Sequence, residues 1–201
     1  MKIIYKGVFK NNEQLPVGDL PSGAVKFDEP DSIIALSVVA SIFIIPAAIL
    51  VGAVLMFSSW LHGGLAIEFD LLTIFIASLL ALLTVVPHEL LHAVCFGKDA
   101  EVEVYVAPKQ MSAFVVSTHP VSKSRFIFLS LLPNIVFGWL PLVVWAFLPQ
   151  QGFLMNVFFI FSISCILFGI GDYLNAFNAA RQMPKGSMQQ LSGFHSYWFM
   201  P

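Results

Sequence analysis

Charge is scarce in this sequence. Only 11% of its 201 residues are Asp, Glu, Lys or Arg, and basic residues nowhere run together. That leaves no patch for nucleic acid or anionic lipid, and the formal net charge of -2 agrees. Cysteine is scarce as well. Cys95 and Cys165 both fall inside apolar stretches, so no disulfide framework follows. Cys95 lies three residues after His92, near the same helical face, where it is either a soft extra metal ligand or a small packing hydrophobe. Internal repeats and low-complexity segments are absent. No stretch reads as a cleaved leader: the first 32 residues are mixed and polar, and the first apolar run is too long and too late for one.

What fills the space is apolar. The chain is 58% hydrophobic, contains 20 Phe and has a mean hydropathy of +0.83. These values predict a polytopic membrane protein with a lipid bilayer as its solvent. The expected class is all-α: four transmembrane helices over about 32–60, 70–96, 125–148 and 153–180, with a small cytoplasmic β-hairpin between helices 2 and 3. One domain, 32–182, lies between an N-terminal tail, 1–31, and a C-terminal tail, 183–201. Residues 1–10 could form a strand. Asp31 or Ser32 is a plausible N-cap for the first span, Pro46 is expected to bend it, and Trp60 suits an interface. His62, alone in a loop, reads as solvated. Glu101–Val106 and Ala113–Thr118 alternate polar and apolar residues or are rich in β-formers, and so form the hairpin, with a turn at Ala107-Pro108-Lys109-Gln110.

The 10 Lys and Arg fall unevenly. Lys2, Lys6, Lys10 and Lys26 precede the first span. Lys98, Lys109, Lys123 and Arg125 lie between the second and third, and Arg181 and Lys185 follow the fourth. The loops 61–69 and 149–152 hold none. Positive charge gathers on the cytoplasmic side. Both termini and the 97–124 connection are therefore expected to be cytoplasmic, in a multi-pass protein of the cell membrane.

Near the end of the second apolar run stands Pro87-His88-Glu89-Leu90-Leu91-His92. His-Glu-x-x-His is a zinc signature with a mechanical reason. Residues four apart share one helix face, so His88 and His92 can bind one tetrahedral Zn²⁺. Glu89, about 100° round the helix, can reach a zinc-bound water as general base. Ligand type favours zinc over another divalent ion. A third protein ligand is required. Between Arg125 and Arg181 the sole ionisable side chain of the Asp, Glu, Lys and Arg kinds is Asp172. It lies about eight residues from the end of its span, about 12 Å deep, and His88 lies at about the same depth. An intramembrane carboxylate without a partner is expensive, so Asp172 is the expected third metal ligand. Asn134 sits at similar depth and reads either as a donor to the substrate oxyanion or as a bond between helices. Asn175, at i+3 from Asp172, can orient the carboxylate; Asn178 lies further along. Gly169 and Gly171 supply a surface for close helix approach.

These residues resemble a known pattern. A His88-Glu89-x-x-His92 helix, a β-rich connection and a later helix with an Asp are similar to the site-2 protease group of intramembrane zinc metalloproteases. Over about residues 80–185 the closer resemblance is to the zincin peptidase family of small bacterial multispan membrane proteins. The site-2 group carries its Asp as Leu-Asp-Gly, whereas this chain has Gly171-Asp172-Tyr173. The resemblance implies a membrane-embedded zinc metallopeptidase with His88, His92 and Asp172 as ligands and Glu89 as base. Its substrate is a membrane protein or peptide, captured in extended form by the 101–118 hairpin. The alternative is a non-catalytic metal-binding membrane protein, either a scaffold or a metal transporter. Transport would want further ionisable residues along a path, and the interiors of spans one and three have none.

Overall fold

Three prolines cut the apolar runs into helices. A proline lacks an N–H and its ring collides with the carbonyl four residues earlier. The computed structural model describes residues 1–108 and 112–201; Lys109 and Gln110 of the expected turn lie outside the described residues. Pro46 acts on Ile42. There, a 3₁₀ turn at Ser41–Phe43 separates α1 (Ile33–Ala40) from α2 (Ile44–His62). Pro87 acts on Leu83, the last residue of α3 (Leu71–Leu83), and α4 (Val85–Cys95) begins after Thr84. Pro133 lies inside α5 (Lys123–Asn134), which passes through a π-helical turn at Ile135–Trp139 into α6 (Leu140–Phe147). α1 and α3 start at short polar caps: Ser32 accepts the Ala35 N–H at 3.2 Å and Asp70 the Thr73 N–H at 3.0 Å.

The stretch expected as one span over 153–180 is two helices. α7 (Phe153–Phe168) and α8 (Ile170–Gln182) meet at Gly169 with a bend of 47°. Among the described residues, three helices are long and apolar enough to cross a membrane, Ile33–His62, Leu71–Cys95 and Lys123–Phe147, and the bent pair makes up to four.

The all-α class with one hairpin is overturned, because among the described residues seven strands form two sheets. The first sheet has the order β1-β3-β4, from β1 (Lys2–Val8), β3 (Glu101–Ala107) and β4 (Ser112–Val116). β3 and β4 are the expected antiparallel pair, but β1 adds to β3 in parallel, Lys2 opposite Glu101. The second sheet has the order β2-β7-β6-β5. It joins β2 (Val25–Lys26) and β5 (Val121–Ser122) to a C-terminal hairpin, β6 (Met188–Ser192) and β7 (His195–Phe199). Both chain ends are thus strand-bearing. The reason for the error is distance along the chain: β1 meets β3 and β2 meets β7 across separations that local periodicity cannot register.

Two apolar clusters result. One gathers Phe27, Ala93, Phe96, Val102, Phe126 and Leu129, among others, where strands meet helix ends. The other is helical throughout: Ala47, Leu142, Trp145, Ala146, Phe159 and Ile166. His62 is exposed as expected, but it ends α2 rather than lying in a loop, with its Nε2 3.1 Å from the Ala146 carbonyl. Cys95 packs beside the first cluster.

Candidate metal centre

α4 presents His88 and His92 on one face, their ring centroids 4.9 Å apart. The bend at Gly169 turns α8 so that Asp172, in its first turn, faces them. A helix N-terminus favours a negative group there. His88 Nε2 lies 3.1 Å from Asp172 Oδ2, His92 Nε2 lies 3.4 Å from Asp172 Oδ1, and the two Nε2 atoms are 3.2 Å apart. The three residues are the group of His, Cys, Asp or Glu side chains, among the described residues, whose ligand atoms converge as a metal requires, all within 4.8 Å. Cys95 is not one of them. Four ligands at about 2.0–2.1 Å around a tetrahedral zinc stand about 3.3 Å from one another. The observed triangle therefore has the size a zinc ion demands.

Each ligand is held by a second group. A carbonyl can only accept, so the Nδ1–H of His92 donates to the Leu129 carbonyl at 2.7 Å. That fixes the tautomer and leaves Nε2 with its lone pair toward the centre. Pro133, four residues after Leu129, has no N–H to offer that carbonyl, so the bond to His92 meets no competition from the usual helical partner. Asn134 donates from Nδ2 to Asp172 Oδ2 at 2.9 Å and to the Gly169 carbonyl at 3.4 Å. Asn134 is 1% exposed, and its Oδ1 is buried without a partner. Gly169 makes room for it, since a Cβ there would stand 1.9 Å from Asn134 Oδ1. Gly169 is thus the close-approach glycine. Gly171 has nothing within 4 Å of a would-be Cβ and lines a cavity. Asn175 lines a different cavity, and Asn134 occupies the orienting role expected of it. Asn178 is buried in α8.

Glu89 Oε2 accepts the Val115 N–H at 3.0 Å. That N–H therefore points away from β3, along the free edge of β4, which ends the sheet. Glu89 and Asp172 line two cavities. The first, about 490 Å³, reaches Thr84, Ser112, Ala113 and Gly171. The second, about 270 Å³, reaches Glu29, Phe114, Val115 and Ser196. The edge of β4 runs from one to the other past the metal triangle. Two participants had no signal in sequence, because the Leu129 carbonyl and the Val115 N–H are backbone groups. Glu29 was legible only as part of an acidic helix start.

Outside the apolar helices, burial pushes the Glu29 carboxyl up to about 7, with the Ser196 N–H and Lys26 pulling the other way. Burial, aided by Lys26, pushes the neighbouring His195 down, against the pull of Asp31.

A triangle of two imidazoles and a carboxylate, with a further carboxylate beside it and a sheet edge alongside, is a set of groups that could hold a metal ion and act on a water beside it. The chain belongs to the family described as "Putative zincin peptidase", whose model matches residues 81–188. That match spans both His-bearing α4 and Asp172, and it makes zinc the implied metal and peptide hydrolysis the implied class of reaction. No curated protein matches the chain, and no solved structure does.

Proposed function

We propose that this protein is a membrane-embedded zinc peptidase that cuts membrane or membrane-proximal peptide chains near the cytoplasmic face, in the manner of the site-2 protease group. The observation that carries the reading is the triangle of His88, His92 and Asp172 atoms at 3.1–3.4 Å, with Glu89 on the same helix. Membrane embedding is supported by the three long apolar helices and the bent pair, and by outward-facing Ile34, Ile49, Trp60 and Phe75. A cytoplasmic site and cytoplasmic termini are supported by the bias of Lys and Arg.

His88, His92 and Asp172 would hold the zinc, which when bound would supply Lewis acidity that lowers the pKa of water and polarises a carbonyl. Glu89 takes a proton from the attacking water and passes it to the leaving amine. Asn134 is a positioning residue: both of its amide N–H groups are engaged by Asp172 and Gly169, so it keeps the carboxylate turned to the imidazoles. Substrate lies extended along β4, because a helical peptide hides its carbonyls. The Val115 N–H then has two claimants, Glu89 and a substrate carbonyl. Pairing with substrate frees Glu89 for its proton transfer.

The test uses the full chain purified in detergent. Expected is one zinc per chain and cleavage of a quenched fluorescent peptide or a co-expressed membrane protein. In Glu89→Gln the zinc stays and the rate falls by about 10²–10⁴. Equal rates in both proteins would sink the role of Glu89. Stoichiometric zinc without cleavage of any substrate would favour the metal-binding scaffold.

A further inference from the structure

We infer that Glu29 and the second cavity form a subsite for a lysine or arginine side chain of an extended peptide bound at the metal centre. The inference rests on the peptidase reading above and adds a specificity to it.

The second cavity runs from Glu89, His92 and Asp172 to Glu29. Its volume, about 270 Å³, falls below the roughly 300–1,000 Å³ of clefts that take whole ligands, and so suits one side chain of a longer chain. Leu36, Phe96, Phe114, Leu191 and Phe194 form the apolar part of its wall, beside polar groups of Ser130, Asn175 and Gln189. A cavity with an apolar wall and a buried carboxylate matches a side chain with a methylene stem and a cationic head.

Glu29 is set apart from its acidic neighbours. Asp28 meets Arg181 at 3.3 Å and Asp31 meets Lys26 at 2.9 Å, and both carboxylates are exposed. The Glu29 side chain is 9% exposed and has no Lys or Arg partner among the described residues. Its contacts are the Ser196 N–H, 2.8 Å from Oε1, and His195 Nδ1, 3.5 Å from the same oxygen. That His195 Nδ1 makes no hydrogen bond. A buried carboxylate held by one backbone amide has no Lys or Arg within ion-pair distance among the described residues, with Lys26 acting only from further off, and a charge-assisted bond from a guanidinium or ammonium group would supply that contact. The sheet that holds it is built for that placement: β7 carries His195 and Ser196 and pairs with β2 just before Glu29.

The experiment separates this subsite from catalysis. Full-length Glu89→Gln protein, zinc-loaded in detergent, is titrated with acetylated, amidated Ala/Leu decapeptides. Each carries one lysine, stepped along the chain, with norleucine counterparts. At one or two adjacent positions lysine is expected to bind at least about tenfold tighter than norleucine. A further Glu29→Gln change should reduce that ratio to below about twofold, since Gln keeps an oxygen for the Ser196 N–H and loses the charge. Glu29→Lys should turn the preference toward glutamate peptides. No lysine preference at any position, or one unaltered in Glu29→Gln, overturns the inference. The same peptides are then offered to the protein with Glu89 intact. A lysine preference without cleavage leaves the subsite standing and removes the peptidase reading.

Discussion

Around Trp145 the buried core is made by helices, with Ile67 of a loop against it; around Phe126 helices pack against strands. The Trp145 indole donates to the Met155 carbonyl at 3.0 Å and leans on Phe159 with ring centroids 4.6 Å apart, all from α6 and α7. The Phe126 cluster draws on the segment before α1, on α4, α5 and α8, and on β3 and β5. The difference follows from what each region must hold. A helix satisfies its own backbone, so helical packing suffices at Trp145. The metal triangle needs oriented groups that helices do not freely offer: a spare carbonyl at Leu129, an outward N–H at Val115 and a buried amide at Asn134. Strand edges and proline breaks supply the first two, and the pinch at Gly169 admits the third.

The largest expected effects come from exchanging the two regions. His88→Ala should reduce bound zinc from one per chain to none detectable, with cleavage lost. Trp145→Ala should cost about 3–5 kcal/mol of stability through the cavity it leaves, yet the protein that remains folded should keep its zinc. Metal content by plasma mass spectrometry and thermal unfolding in detergent read both. Zinc lost from folded Trp145→Ala would show the regions to be one. Next comes a pair two residues apart. Gly169→Ala puts a Cβ into the Asn134 amide, while Gly171→Ala meets nothing within 4 Å. Zinc affinity, measured against a competing chelator, should fall about 10–100-fold in the first and stay within about twofold in the second. Smaller again is Pro133→Ala. The new N–H competes with His92 for the Leu129 carbonyl, so zinc affinity should fall about tenfold. Pro141→Ala, in α6 beyond the π-helical turn, should leave zinc affinity unaltered.

The same contrast decides what was readable in the sequence. The apolar helices and the His88–His92 face follow from composition and a four-residue spacing, and each is local. Asp172 could be matched to His88 by depth because charge within apolar runs is rare. The 101–118 strands alternate visibly and were legible too. Most of what could not be read depends on distant partners. β1 was expected as a strand, but its parallel pairing with β3 was not, nor that of β2 with β7, each far along the chain; β6 and β7 form a local hairpin, in which the polar Met188–Ser192 gave no strand pattern. The bend between α7 and α8 lies at Gly169, whose carbonyl accepts from the Asn134 amide, a contact between residues 35 apart. Asn134 had two readings because sequence sets a side chain's depth but not its neighbour. Glu29 looked like any acid before a helix, since burial by a C-terminal hairpin leaves no local mark.

The smallest effect tests whether the two regions answer pH with opposite sign. In the strand-built region the folded carboxyl of Glu29 is pushed up to about 7 from an ordinary 4.5. Between these values the folded state holds a proton that the unfolded chain has released. Stability from this group is therefore full below about 4.5 and falls as pH rises toward about 7. The loss is on the order of 1 kcal/mol once the open cavity's screening is allowed for. At the start of α3 the sign reverses. The Thr73 hydroxyl and N–H hold the Asp70 carboxyl below its ordinary 3.8. Its capping contribution is present above that value and lost as pH falls through it. Unfolding temperature against pH, taken as wild type minus Glu29→Gln, should decline between pH 4.5 and 7 and be flat below. Taken as wild type minus Asp70→Asn, it should be flat between pH 4.5 and 7 and decline only on acidification. A flat Glu29 difference across the first window would mean that its carboxylate is not short of a counter-charge, and the lysine subsite would lose its physical basis with it.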